Sequence, residues 1–186
     1  NYRKDYINID LDLKSIRKRI NIKKDLQRHQ ATYTRAEYLK LVSFYDSLSG
    51  TDSARALSEK RWVGALIVNM QLGCRIGEFA ALSIDDVDYV KSSVSINKTM
   101  TGDETGRQVI GSTKTLTSIR TIPISQKSKE ILKFLENTRV DGSDYFFSSN
   151  RKRGKGPGRT NTMRKAWKRI LESVGIPYLN PHNSCR

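Results

Sequence analysis

The chain has 186 residues, 37% of them hydrophobic, and its 34 Lys and Arg residues against 19 Asp and Glu residues give a formal net charge of +15. This length suffices for one globular domain with a short appendage but hardly for two full domains, and the apolar content argues against a disordered polymer. Because the charge is so strongly positive, nucleic acid is the simplest partner, and a membrane surface is the weaker alternative.

The first part of the chain predicts a basic lead-in segment followed by two helices. Residues 1–30 contain nine Lys and Arg residues and read as a linker with one short amphipathic helix. Thr34 and Glu37 fit a capping box, so a helix is predicted to start at Thr34. Residues 54–72 predict a second helix that is apolar nearly all round in its second half, as in a helix through a core, and Gly73 ends it.

The middle of the chain changes from helical to strand periodicity. A short helix is predicted over residues 76–82, and a period of two follows over residues 87–124. Within that stretch, β-branched runs at residues 94–96, 109–110 and 119–124 are separated by glycines. These runs predict one small three-stranded antiparallel sheet, and hence an α+β fold that is mainly α-helical.

The last part predicts two more helices joined by a basic loop. Helical spacing returns over residues 128–139 and 163–174, and Gly175 is the predicted stop of the second helix. Nine Lys and Arg residues and no acid lie between residues 151 and 169, starting in the glycine-rich tract RKRGKGPGR. Such a run favours phosphates, although an isolated basic run is as often solvated surface. The residues predicted to bind DNA are Arg151, Lys152, Arg153, Lys155, Arg159 and Arg164.

Membrane, disulfide and metal chemistry find no support in the sequence. No stretch approaches the roughly 20 apolar residues of a bilayer span, and the first 30 residues lack the apolar block of a signal peptide. We therefore expect a cytoplasmic, nucleoid-associated protein without membrane contact. Cys74 and Cys185 are too few for a disulfide framework, and with two histidines the chain shows no metal-ligand spacing. We expect no metal and no other cofactor.

Three short motifs suggest more specific chemistry. Arg75 follows a helix stop, where its guanidinium can be held toward a phosphate while Glu78 orients it. Alone, such a pair is more often a surface ion pair of little energetic value. Lys114 lies in a turn between predicted strands, where a lysine can reach a leaving oxygen but usually only faces solvent. His182 and Arg186 lie close together at the end of the sequence, and by themselves form a weak motif.

Taken in this order, the motifs resemble the catalytic domain of the tyrosine recombinases, the phage-integrase family of site-specific DNA recombinases. GCRIGEFAALSIDDVD resembles the first-arginine box of the family, and TKTLTSIRTIPIS resembles its lysine hairpin. Pro181 and His182 resemble the approach to its histidine and second-arginine box. The resemblance covers residues 31–186, which form the predicted catalytic domain. The sequence of the lysine hairpin is most similar to that of integrases from phages and conjugative transposons, which are mobile genetic elements.

The resemblance implies a reaction on double-stranded DNA without a metal. In the family a tyrosine attacks a backbone phosphate, forms a 3′-phosphotyrosyl link and releases a 5′-hydroxyl that attacks a partner strand. The resemblance assigns Arg75 and Arg186 to the non-bridging phosphate oxygens, where they would neutralise charge in the transition state. It makes Lys114 the general acid, gives His182 a part in moving the nucleophile's proton, and has Glu78 hold the site together. The family acts as a homotetramer on DNA.

The sequence departs from the family in two places. His182 and Arg186 are four residues apart where the family has three, and either spacing keeps both on one helix face. The register stays open: if Arg186 fits, the histidine position holds Asn183. If His182 fits, the arginine position holds Cys185. The sequence also ends before the family's nucleophilic tyrosine, so we expect a fragment of a longer recombinase or a truncated product, monomeric and inactive in strand cleavage.

Two other functions stay open at this point. One is a non-catalytic basic DNA-binding protein that keeps a vestigial recombinase site. The other, which we rank lower, is an RNA-binding domain, because the chain has neither an RNP-type aromatic strand nor a GxxG loop. Arg75 and Lys114 distinguish a recombinase from both.

Overall fold

The computed structural model describes part of the chain, namely residues 32–50, 53–102, 108–112, 119–148 and 157–179. The predicted lead-in over residues 1–30 lies outside the described residues. All described residues belong to the unit Ala31–Arg186.

Helices make up most of the described fold, which is α+β and mainly helical, as predicted. They are α1 (Arg35–Ser47), α2 (Ala54–Leu72), α3 (Ile76–Ala80), α4 (Gln126–Asn137) and α5 (Thr160–Ser173), with a 3-10 turn at Ile84–Asp86. The predicted capping box is confirmed, since the Thr34 hydroxyl accepts the Glu37 N–H at 3.2 Å and the Glu37 carboxylate accepts the Thr34 N–H at 2.7 Å. Each helix predicted within the described residues is present, with ends that differ by up to three residues.

The strands form a three-stranded antiparallel sheet, as predicted, and a separate two-stranded hairpin, so the predicted membership of the first sheet is wrong for one of its three strands. The strands are β1 (Val87–Asp88), β2 (Ser93–Ile96), β3 (Lys98–Gly102), β4 (Gln108–Ser112) and β5 (Arg120–Pro123). One antiparallel sheet has the order β1-β2-β5, and β3 and β4 form a separate antiparallel hairpin. Two of the predicted runs do pair, with Val94 opposite Ile122. The third run instead pairs with β3, where Ile110 lies opposite Met100.

The polar composition of β3 explains the error. Its sequence, KTMTG, has a single large apolar residue, so it carries no clear strand pattern. The chain leaves β2 at Ile96 and enters β3 at Lys98, and the amide of the intervening Asn97 donates to the carboxylate of Asp86 at 3.2 Å. The chain therefore changes from one sheet to the other at a single residue.

The core is built around α2, as its apolar second half predicted. This helix packs against α1, α4 and α5, and its residues from Val63 to Val68 are buried. The short helix α3 is fixed to the core by Phe79, whose ring lies 5.9 Å from that of the buried Trp167 of α5. The end of α2 and the start of α3 are thus held by rigid packing, which is the setting that a precisely aimed side chain requires.

Candidate active site

A glycine in the left-handed conformation places Arg75 just beyond the end of α2. Gly73 has φ 57° and ψ 31°, and its N–H donates to the Asn69 carbonyl at 3.0 Å. Glycine adopts this conformation without the strain that a Cβ would cause. The next residue, Cys74, is buried, and Arg75 is extended and precedes the first turn of α3. Arg75 therefore lies at the end of a buried helix, as the sequence predicted.

Glu78 has a buried carboxylate surrounded by donors. Its side chain is 2% exposed. Oε1 accepts a hydrogen bond from Nη1 of Arg75 at 3.1 Å, and Oε2 accepts the backbone N–H of Arg75 at 3.0 Å. Nη2 of Arg120, which comes from β5, donates to the same Oε2 at 2.8 Å. Two guanidinium groups thus share one buried carboxylate, and the cluster keeps a net positive charge.

The surroundings keep Glu78 ionised. Burial raises the pKa of the carboxyl, but it is outweighed by hydrogen bonds from the Arg120 side chain and the Arg75 backbone and by the positive charge of Arg120, so the pKa lies below its ordinary value. The pKa of Arg120 is raised, chiefly by its hydrogen bond to Glu78, against the opposing effect of burial. Both pKa values favour the charged pair at neutral pH.

The cations reach solvent while the anion does not. The side chain of Arg75 is 49% exposed and that of Arg120 is 34% exposed. Among the described residues, the Arg75 guanidinium has no hydrogen-bond partner other than Glu78, which it contacts through Nη1. Its remaining N–H donors can bind an external oxygen anion, and the fork of a guanidinium matches the geometry of a phosphate.

Sequence reasoning missed Arg120, although one signal for it was present. Exposure alternates along β5, with Arg120 and Ile122 half-buried and Thr121 exposed. Arg120 therefore lies on the face of the strand that also carries Ile122, which packs against the hydrophobic core. An arginine at an inward-facing position of a strand needs a partner, and that requirement was readable from the period-two pattern.

The other predicted site residues fall into two groups. Arg159 immediately precedes α5 and is exposed, and Arg164 on α5 donates to the Asn161 side chain at 2.9 Å. The remainder lie outside the described residues, and they are Lys114, Arg151, Lys152, Arg153, Lys155, His182 and Arg186. The structure therefore brings together Arg75 and Glu78, and it adds Arg120 to them.

The described part of the chain contains neither a metal-ligand cluster nor a membrane-spanning helix. No group of three or more His, Cys, Asp or Glu side chains there could hold a metal ion. No helix in those ranges is long and apolar enough to cross a membrane. The contacts of Arg75 and Arg120 with Glu78, which lies between them, define the candidate active site.

Comparison with solved structures places this fold among DNA recombinases. The integrase of the transposon Tn1549 in complex with circular intermediate DNA matches with a TM-score of 0.63 and 16% sequence identity, over 83% of this chain and 51% of that chain. The same integrase in complex with transposon right end DNA has a TM-score of 0.60. XerA recombinase matches with a TM-score of 0.53 and 20% identity, over 82% of this chain and 46% of that chain. This chain spans about half the length of these relatives.

Sequence comparison agrees with the fold. No curated protein matches the chain. The model of the phage integrase family matches residues 32–184, which includes all three motifs except the final Arg186. Since this match covers most of the chain, the protein belongs to the phage integrase family.

Proposed function

We propose that this chain provides the catalytic domain of a site-specific DNA recombinase, which cuts and rejoins double-stranded DNA through a 3′-phosphotyrosyl intermediate. The observation that supports this most directly is the half-exposed Arg75 guanidinium held by a buried carboxylate, within a phage-integrase fold. Two of the similar structures are complexes of the Tn1549 integrase with DNA. The substrate of this chain is accordingly proposed to be a DNA duplex.

Arg75 is proposed to bind a non-bridging oxygen of the phosphate that is cut. Negative charge grows on those oxygens in the transition state, and a donor already aimed at them lowers the barrier without reorganising. Glu78 serves this purpose because its hydrogen bonds to Arg75 limit the rotation of a long side chain. Removing one such donor costs roughly 3 to 4 kcal/mol of transition-state stabilisation in other enzymes.

The remaining roles are proposed from the family resemblance. Arg186 would bind the phosphate beside Arg75, and Lys114 would protonate the departing 5′ oxygen. His182 would take part in moving the proton of the nucleophilic tyrosine. The basic residues that precede α5 in the sequence, together with Arg164 within α5, would contact the DNA backbone, which positions a protein without reading sequence. They are Arg151, Lys152, Arg153, Lys155, Arg159 and Arg164.

The assembly and setting are also proposals. The full-length recombinase would act as a homotetramer on DNA, and this chain alone would be a monomer. The protein would belong to a mobile genetic element and work in the cytoplasm at the nucleoid. These statements follow from the family and from the positive charge of the chain.

Binding of a labelled duplex by the purified chain tests the proposal. Arg75→Ala should weaken binding roughly tenfold, because a charge-assisted contact is lost, and should lower the salt slope of log K by about one unit. The affinity is measured by fluorescence anisotropy over a range of salt concentrations.

Arg55→Ala is the matched control, because it removes the same charge from an exposed position at the other end of the 19-residue helix α2, about 27 Å away. A clearly smaller effect of Arg55→Ala supports a specific phosphate site at Arg75. Equal effects of the two substitutions would favour a basic DNA-binding protein with a vestigial site.

A further inference from the structure

Arg120 holds the same carboxylate as Arg75 but comes from a different part of the chain. Glu78 and Arg75 are three residues apart in sequence, whereas Glu78 and Arg120 are 42 residues apart. Helix α3 has five residues, too few to be stable by itself. The bond from Arg120 ties this short helix to the β1-β2-β5 sheet, and so fixes the carboxylate from outside the motif.

We propose that Arg120 is a positioning residue that keeps Arg75 available for the DNA phosphate, an inference that rests on the function proposed above. Arg120 occupies Oε2 of Glu78, the oxygen that Arg75 would need in order to pair with both carboxylate oxygens. The Arg75 guanidinium is thereby restricted to Oε1 and keeps its other donors for a ligand.

The restriction of the Arg75 guanidinium to Oε1 matters because arginine prefers to pair with both oxygens of a carboxylate. A guanidinium and a carboxylate bind most strongly through two parallel hydrogen bonds. Here the Arg75 guanidinium bonds to Glu78 through Nη1, and Oε2 already accepts the Arg75 backbone N–H and Nη2 of Arg120. With Arg120 absent, Oε2 would have room for a second donor from the Arg75 guanidinium. Arg75 would then turn its fork toward Glu78 and away from solvent.

The position of Arg120 is itself well defined. Nη2 lies 2.8 Å from Glu78 Oε2 and 3.8 Å from the sulfur of the buried Cys74. The backbone of Arg120 is opposite Ile96 in the pairing of β5 with β2. Because both the backbone and the guanidinium are anchored, Arg120 can hold the carboxylate in one orientation.

A double-mutant cycle on duplex binding tests this role. Arg120→Leu, which retains an apolar stem on the strand, should weaken binding nearly as much as Arg75→Ala, roughly tenfold. The double variant should bind no more weakly than Arg75→Ala alone, because Arg120 acts through Arg75. Arg120→Lys should restore most of the affinity, since an ammonium can also occupy Oε2. Thermal unfolding of each variant verifies that the folded protein is being measured.

The contrary outcomes are separable. If the losses from Arg75→Ala and Arg120→Leu multiply in the double variant, Arg120 binds DNA independently and the positioning role is overturned. Wild-type binding by Arg120→Leu overturns only this inference, whereas wild-type binding by Arg75→Ala overturns the proposed function together with it. If Arg120→Leu does not fold, Arg120→Met supplies the same cycle, because it keeps a long side chain without a donor for Oε2 and its loss must vanish in the Arg75→Ala background.

Discussion

Glu78 and Asp86 are two buried carboxylates that lie at the same position of successive helical turns. Each is the third residue of its turn, and each accepts the backbone N–H of the residue that precedes the turn, Arg75 for Glu78 and Ser83 for Asp86. Each also binds a cation from a strand, Arg120 in the first case and Lys98 in the second. The two carboxylates therefore have the same local hydrogen-bond arrangement, but the cations that they bind have different surroundings.

Around Asp86 the donors point inward. Oδ2 accepts the Ser83 N–H at 2.8 Å, the Ser83 hydroxyl at 2.9 Å and Nζ of Lys98 at 2.7 Å. Oδ1 accepts the amide of Asn97. Lys98 is 26% exposed and also donates to the Ser83 hydroxyl. These bonds join the 3-10 turn to β3. The charges of Lys98 and Asp86 are paired with each other within the fold.

The residue before each turn makes the difference. Ser83 has a short side chain whose hydroxyl donates to the Asp86 carboxylate, so this cluster is closed. Arg75 completes the equivalent arrangement with its backbone N–H, and its long side chain carries a positive charge out to solvent. A stabilising motif thus becomes a candidate binding site through a change at one position.

The largest effect on stability is expected from Asp86→Ala. The substitution leaves Lys98 and the donors of Ser83 without their acceptor in a buried setting, which should lower the free energy of unfolding by about 3 kcal/mol. Urea denaturation measures this change. Duplex affinity of the folded variant should stay near that of the wild type, and a loss as large as that of Arg75→Ala would mean that the two clusters are not separate in function.

Glu78→Gln should have a smaller effect that depends on pH. Because the pKa of Glu78 is lowered from its ordinary 4.5 in the folded state, its ionisation stabilises the protein above about pH 4.5, and this contribution is lost as the pH falls through the folded value. The variant should be less stable than the wild type at pH 7, by about 2 kcal/mol, and the difference should narrow below pH 4.5. Urea denaturation of the variant and the wild type at pH 7 and at a pH below 4.5 measures this difference in stability. A difference that is independent of pH would show that Glu78 does not act through its charge.

The smallest effect on stability is expected from Arg75→Ala. The side chain is half exposed, and ion pairs of that kind contribute at most about 1 kcal/mol. Retention of the Arg120 bond keeps Glu78 paired in the variant. Its urea midpoint should therefore lie close to that of the wild type. A fall comparable to that of Asp86→Ala would place Arg75 among the structural residues.

The sequence correctly predicted the structural features that depend on residues close together along the chain. The capping box at Thr34, the stop at Gly73 and the proximity of Arg75 to Glu78 all follow from short spacings with a fixed geometry. One strand was assigned to the wrong sheet because its partner β3 is polar. The period-two pattern indicated that Arg120 needs a partner, but it could not identify Glu78, which lies 42 residues away in sequence. The roles of Lys114, His182 and Arg186 stay predictions.

The comparison of Arg75→Ala with Asp86→Ala tests the central claim most directly, by measuring duplex affinity over a range of salt together with the free energy of unfolding of the same preparations. A phosphate-binding role for Arg75 predicts opposite results for the two variants. Arg75→Ala should lose roughly tenfold in affinity and about one unit of salt slope at nearly unchanged stability, while Asp86→Ala loses stability and retains affinity. Parallel losses in both variants, or unchanged binding by Arg75→Ala, would contradict a phosphate-binding role for the Arg75 guanidinium.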